Sequence, residues 1–286
     1  MSKSFSYDYK QVRHSFDRSS VTYDEAAILQ REVADRLLER LEYIQKSPEL
    51  ILDLGSGTGY VTKKLLDHDK QAFLTAIDLS PKMCHVTKQQ GGWFRKPQVI
   101  CGNAQSLPFK DNAFDCVISS LMLQWCDDLQ QTFTGINRVL KSEGLFSFST
   151  FGPDTLKELN LAWQDVDDQA HTHPFIDMHD VADTLLTAGF EQPVVDMEMI
   201  TLTYSSVQLL LKDLKMIGAN NALTTRPKGL TGRQTIRKLE KAYEKFRTKD
   251  GLYPLSYEVI YGHGWGKASL EDKLGVGKVV EIKSVG

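Results

Sequence analysis

The residues best placed to do chemistry sit in one short run, Asp53-Leu54-Gly55-Ser56-Gly57-Thr58-Gly59. Glycines at that density let the chain turn tightly and bring a ligand against the backbone. A helix starting just after them offers free amides in its first turn. The spacing is G-x-G-x-G. Tyr60 stands where the dinucleotide fingerprint needs its last glycine, which counts against NAD or FAD. Asp78 comes 19 residues after Gly59, closing an apolar run, where a carboxylate accepts hydrogen bonds from both ribose hydroxyls of a nucleoside. Asp53, beside the loop, is placed to meet a cationic group directly or through water, where a pyrophosphate would be repelled. Together these residues point to a nucleoside bearing an amino acid moiety.

Such a loop needs a strand before it and a helix after it. Leu50–Leu54, Phe73–Asp78, Gln98–Cys101, Phe114–Ser120 and Leu145–Phe151 read as strands. Thr58–Asp67, a segment opened by Pro81, and Leu129–Leu140 read as helices between them. This alternation predicts an α/β fold, a Rossmann-like parallel sheet with helices on both faces. Residues 1 to about 20 are polar and mixed, expected to order only with a partner or cofactor. Thr22-Tyr23-Asp24-Glu25 fits a capping box, opening a helix through Ile28, Leu29, Val33, Leu37, Leu41 and Ile44. After Phe151, helices are expected over Asp154–Asp165, Asp180–Ala188, Ser206–Ile217 and Thr231–Arg247, and strands over Val194–Tyr204 and Ser256–Gly262. The chain then divides into an N-terminal segment and capping helix (1–48), a cofactor-binding core (49–204) and a helical insertion capping substrate or partner (205–250). The core's last strand (251–266) and a tail (267–286) complete it.

The length of 286 residues allows one core with an added helical part. A net charge of -3 argues against a wholly basic nucleic-acid binder. The four cysteines, Cys84, Cys101, Cys116 and Cys126, form no CxxC pair, so reduced thiols in the cytoplasm are the simplest reading. No apolar run resembles a signal peptide or a membrane span. His171, His173 and His179 lack regular ligand spacing, and no metal is expected. Oligomeric state is not set by any of these features.

The loop, Asp78 and the strand order resemble the class I S-adenosylmethionine (SAM)-dependent methyltransferases over about residues 50–151. The resemblance implies cofactor contacts at Asp53, Gly55, Gly57, Gly59, Asp78 and Leu79. It also places Asn103 and Ala104 against the adenine, with Asn103 where an aspartate is usual, and Ser120 at the methyl-donor site. Tyr23-Asp24-Glu25-Ala26-Ala27 with Leu29-Gln30, Leu123-Gln124-Trp125-Cys126-Asp127-Asp128 and Phe151-Gly152-Pro153-Asp154-Thr155-Leu156 are more specific. Phe175-Ile176-Asp177-Met178-His179-Asp180, Tyr257-Glu258-Val259 and Tyr261-Gly262-His263 extend the likeness over roughly residues 13–266. In combination they resemble the BioC family, the malonyl-acyl-carrier-protein O-methyltransferases of biotin (pimeloyl) synthesis.

That resemblance implies methyl transfer to a malonyl carboxylate. Its pKa, by analogy with about 4 for Asp and Glu, leaves it ionised, so no catalytic base is needed. An arginine fork suits the anion, and Arg226 is the first candidate, with Tyr23, Gln124 and Trp125 walling the cavity. Residues 226–249 hold nine basic and two acidic side chains. Arg233, Arg237, Lys241, Lys245 and Lys249 recur every four residues, a row expected to dock an acidic acyl carrier protein, while Ile236, Leu239, Tyr243 and Phe246 face inward. The alternatives are methylation of RNA or of a small carboxylic acid, and a SAM-binding hydroxylase or assembly factor like one of mitochondrial complex I.

Overall fold

The computed structural model describes residues 6–42, 44, 47–93, 95–169, 171–172, 174–218 and 232–267. Three helices open the chain: α1 (Tyr9–Ser19), α2 (Tyr23–Ala26) and α3 (Ile28–Glu42). The first corrects the expectation of a loosely ordered N-terminus. Asp8 caps it by accepting the Gln11 N–H at 3.1 Å. Tyr9, Val12 and Phe16 fall on one face, and Val12 is buried. The capping box is a second correction. Thr22 caps no helix amide; its Oγ1 faces the carbonyls of Ser19 at 3.4 Å and Met216 at 3.3 Å. The chain then kinks at Ala27, so α2 and α3 are separate. A long-range bond to Met216 outcompetes the local cap.

The alternating region follows: β1 (Leu50–Leu54), α4 (Tyr60–His68), β2 (Phe73–Asp78), α5 (Pro81–Thr87), β3 (Gln98–Cys101), β4 (Phe114–Ser120), α6 (Leu129–Val139) and β5 (Leu140–Phe151). Ser80 caps α5, and Pro81 occupies its first turn, where a missing N–H costs nothing. Then come α7 (Lys157–Gln164), α8 (Met178–Thr187), β6 (Glu191–Tyr204), α9 (Val207–Met216), α10 (Arg233–Tyr243) and β7 (Tyr253–Trp265). Among the described residues, seven strands form one sheet in the order β3-β2-β1-β4-β5-β7-β6. β1 to β5 are parallel, whereas β7 is antiparallel to both its neighbours. The parallel sheet expected from the alternating region is present in β1 to β5, and β7 makes the whole sheet mixed. Tyr204, the last residue of β6, pairs with Tyr253, the first of β7. The chain leaves and re-enters the sheet at the same end, which reverses β7. Since β6 runs with β5, the excursion through α9 and α10 rises at the end where β1 to β5 have their C-termini.

The sheet carries an apolar layer on each side. One joins Phe133 of α6 to Phe146, Phe148 and Phe190, all at most 3% exposed, with edge-to-face and offset ring contacts. The other joins α3, α7, α9 and α10 to the alternate residues Leu255, Tyr257, Val259 and Tyr261 of β7. No helix of the described residues is long and apolar enough to cross a membrane.

Gly262 lies directly beneath the Phe148 ring. A Cβ added there would meet Phe148 Cε1 at 2.7 Å, and Phe148 is fully buried. Gly262→Ala is expected to cost about 1–3 kcal/mol by overpacking, read as a lowered denaturant midpoint with an unchanged slope.

Candidate functional site

Register sets the site. Leu54 pairs with Ile77, so β1 and β2 end at the same level and the glycine loop faces Asp78. The Gly57 N–H donates to Asp78 Oδ2 at 2.9 Å and the Ser80 N–H donates to Oδ1 at 2.8 Å. Gly57 has φ +55°, and a Cβ there would meet nothing within 4 Å. Backbone conformation selects glycine here, and the loop's ligand side is open. Gly59 has a different reason. Its φ is +84°, and a Cβ would meet Gln90 Cγ at 2.7 Å and Thr87 Cα at 3.1 Å, so it lets α4 begin against α5.

Burial pushes the Asp78 carboxyl up to about 6, beyond what the donating amides of Ser80 and Gly57 pull down, and Asp17 adds to the rise. Asp53 is 1% exposed and is pushed up to about 7, again chiefly by burial. It accepts from Thr62 Oγ1 at 2.5 Å and does not line the pocket beside Asp78. Strand parity sets its direction: Leu54 lines the pocket, and the Asp53 side chain projects from the other face of β1, toward α4.

The pocket opens over the C-terminal ends of β1 to β4, where the strand order reverses between β1 and β4. Its volume, including the mouth, is about 710 Å³. Gly55, Gly57, Asp78 and Leu79 line one half; Asn103, Ala104 and Ser120 line the other. Tyr23 and Trp125 also reach it, whereas Gly59 and Gln124 do not. Gln124 is held by its Nε2 donating to Leu121 O at 2.6 Å and faces a neighbouring cleft with Thr150, Phe151 and Phe175. Arg226 and His173 lie outside the described residues, as does the tail from 268 onward.

The lining suits a nucleoside with a cationic group. The Asp78 carboxylate can accept paired hydroxyls. Asn103 Oδ1 accepts the Gln105 N–H at 3.0 Å, which leaves the side-chain NH₂ to donate to a base edge. Among the described residues lining the pocket there is no lysine or arginine, so a pyrophosphate would meet Asp78 without a counter-charge. Tyr23, half-buried near the carboxylates of Asp78 and Asp24, is held protonated by burial first and by those charges second, so its hydroxyl is available to donate.

Sequence reasoning missed the cover. Tyr9, Val12 and Phe16 of α1 close the pocket from above. Phe16 meets the Trp125 ring edge-on at 5.2 Å between centroids, and Tyr7 meets it at 6.3 Å. The signal was present as an Asp8 cap followed by apolar residues three and four apart. Among the described residues no group of three or more His, Cys, Asp or Glu could hold a metal. His171 instead stacks on Trp163 and hydrogen-bonds Asp167, His179 bonds Asp177, and His263 sits within β7 between Ser147 and Val194.

The basic row is shorter than expected. α10 ends at Tyr243, where Leu239 and Tyr243 are buried and the Tyr243 hydroxyl donates to Pro254 O at 2.8 Å. Arg233, Arg237 and Lys241 are exposed along the helix, and none of the three forms an ion pair among the described residues. Lys245 falls in the following 3-10 turn, where its ammonium pairs with Asp165 at 2.7 Å, so it leaves the row.

A family model described as a methyltransferase domain matches residues 52–148. The malonyl-[acyl-carrier protein] O-methyltransferase of Halorhodospira halophila is 47% identical over 262 residues, covering 91% of this chain and 89% of that protein. The protein of the same name from Nitrosospira multiformis is 46% identical over 277 residues, covering 91% and 90%. The structure of Haemonchus contortus phosphoethanolamine N-methyltransferase 2 in complex with SAM shares the fold, with a TM-score of 0.52 at 17% identity, covering 88% of this chain and 57% of that one. With nearly half its residues identical over nine-tenths of its length, the chain belongs to the malonyl-[acyl-carrier protein] O-methyltransferase family.

Proposed function

We propose that this chain methylates the free carboxylate of a malonyl thioester carried on acyl carrier protein, using SAM, as an early step of biotin synthesis. The observation that carries the reading is the pocket itself: an uncompensated carboxylate, Asp78, at the strand switch point, under an apolar cover. SAM, when bound, would supply an electrophilic methyl on a sulfonium: the malonyl oxygen would bond to that carbon as the S–C bond broke, the S–C electron pair passing to sulfur. The transfer would need no proton to move, and the tyrosines of the pocket wall, Tyr23 and Tyr9, are held protonated.

Asp78 would hold the ribose hydroxyls, with Gly55, Gly57 and Leu79 beside it. Asn103 and Ala104 would meet the adenine, and Ser120 would face the methyl-bearing end. Asp53 would act one layer behind, by supporting α4 through Thr62. Tyr23 and Trp125 would wall the acceptor, with Gln124 bracing Leu121 behind them. α1 excludes water, which strengthens the attraction between the anionic oxygen and the cationic sulfur. Alignment of the two is worth up to roughly 7–11 kcal/mol. Arg226 is proposed to hold one malonyl oxygen while the other attacks.

Carrier approach follows from charge. The cleft beside Gln124 is rimmed by Asp127, Asp128, Asp180 and Asp183, which would repel an acidic protein. Arg233, Arg237 and Lys241 of α10 are exposed and form no ion pair among the described residues, so the carrier is proposed to dock there, with residues 205–250 acting as its cap.

Mass spectrometry of malonyl-carrier protein incubated with SAM and the chain should show a gain of about 14 Da, one methyl replacing one hydrogen, and none on the unmalonylated carrier; no gain would refute the reading. Asp78→Asn should weaken SAM binding by about 1.5–3 kcal/mol, the worth of hydrogen bonds to a charged group. Wild-type affinity should rise as pH increases through about 6, because the ionised Asp78 accepts the hydroxyls, and the variant should lose that dependence. Neutralising Arg237 and Lys241 together should lower kcat/KM for malonyl-carrier protein by about tenfold at low salt, and less for malonyl-CoA; equal losses would remove α10 from docking.

A further inference from the structure

A helix that covers a pocket must lift for the pocket to fill or empty, so the contacts holding it down set the rate of exchange. α1 is fastened at both ends. At its start the Tyr9 hydroxyl lies 2.8 Å from Asp127 Oδ1, contacts Gln105 Oε1, and accepts the Asp127 N–H at 3.2 Å. Gln105 Nε2 donates to the same Asp127 oxygen at 2.8 Å. At its end, Asp17 Oδ1 accepts from Ser80 Oγ at 2.6 Å and from the Lys82 N–H at 3.3 Å. Between them Val12 and Phe16 pack with Leu79 and Trp125.

The two fastenings differ in what they join. Asp17 grips the start of α5, behind Asp78. Tyr9 grips two other segments at once. Gln105 ends the loop that carries Asn103, whose side chain holds the Gln105 N–H. Asp127 follows the turn Leu123–Trp125, which walls the pocket's far side. One hydroxyl therefore ties the cover to the loop at the base-binding end and to the wall at the acceptor end. With a single proton it donates to Asp127 or to Gln105 at any moment, and the backbone N–H of Asp127 fills its lone pair.

We infer that Tyr9 is a positioning residue for the reaction: its hydroxyl, held by Asp127 and Gln105, latches α1 over the bound cofactor and sets the rate at which the demethylated cofactor leaves. The inference rests on the cofactor reading given above. Removing the hydroxyl leaves the Tyr9 ring in the pocket wall and leaves Asp127 bonded to Gln105. A hydrogen bond to a charged group is strong enough to shift an opening equilibrium roughly tenfold or more. That factor falls on cofactor exchange, since the cover must lift for exchange and stays closed during transfer.

The test uses the full chain, with Tyr9→Phe and Asp127→Asn beside the wild type. Release of S-adenosylhomocysteine is followed by rapid displacement, and KM for SAM and kcat are measured with the same preparations. Tyr9→Phe should release the product about tenfold faster, and its KM for SAM should rise by a larger factor than kcat falls. Asp127→Asn keeps an oxygen acceptor without the charge and should fall between; it also retains the Tyr9 side chain, so the comparison survives if Tyr9→Phe folds poorly. Release from both variants within twofold of wild type, or a fall in kcat at constant KM, would overturn the latch. A wild type that binds neither SAM nor its product would instead overturn the cofactor reading itself.

Discussion

A carboxylate lodged in a recess whose described lining holds no lysine or arginine is the constraint on which this structure turns. Asp78 is kept there by two backbone amides, from Gly57 and Ser80, and each makes a demand on the chain. The first requires a residue at positive φ at the end of β1. The second requires α5 to begin immediately, which Ser80 and Pro81 secure by cap and ring. Parallel pairing of β1 with β2 brings both to the same level. The arrangement is costly without a ligand. Burial lifts the Asp78 carboxyl from the ordinary range near 4 to about 6, so its contribution to folding is favourable below that range and is lost as pH rises through it. Donated hydroxyls and a nearby positive charge offset that cost, which makes the site selective for a cationic nucleoside.

Much of this was legible in the residues. The five parallel strands appear where short apolar runs alternate with helical ones, and the loop with Asp78 announces a nucleoside site by spacing alone. What stayed hidden depends on distant parts of the chain. Thr22 and Glu25 have the right types for a capping box, yet Thr22 turns to Met216, nearly two hundred residues on. The direction of β7 follows from α9 and α10 returning the chain to the end it left, and no local pattern encodes that. β1 is buried on both faces, so its residues carry no alternation to show that Asp53 points away from the pocket. α1 was overlooked for a different reason: only a narrow face is apolar, and the polar remainder masks it.

The distribution of charge gives the molecule a direction. One carboxylate, Asp78, lies inside the pocket and four rim the cleft beside Gln124, while Arg233, Arg237 and Lys241 of α10 form no ion pair among the described residues. The proposed carrier site on α10 lies away from that acidic cleft. Family membership accordingly rests on sequence identity and not on architecture alone, since the same fold serves other methyl acceptors.

Cofactor binding is predicted to ionise Asp78. Calorimetric titration of SAM at pH 6 in two buffers of different protonation enthalpy measures this directly. Release of about half a proton per site at pH 6, vanishing by pH 8, is the predicted result. Binding enthalpies that agree between the two buffers at pH 6 would contradict the account.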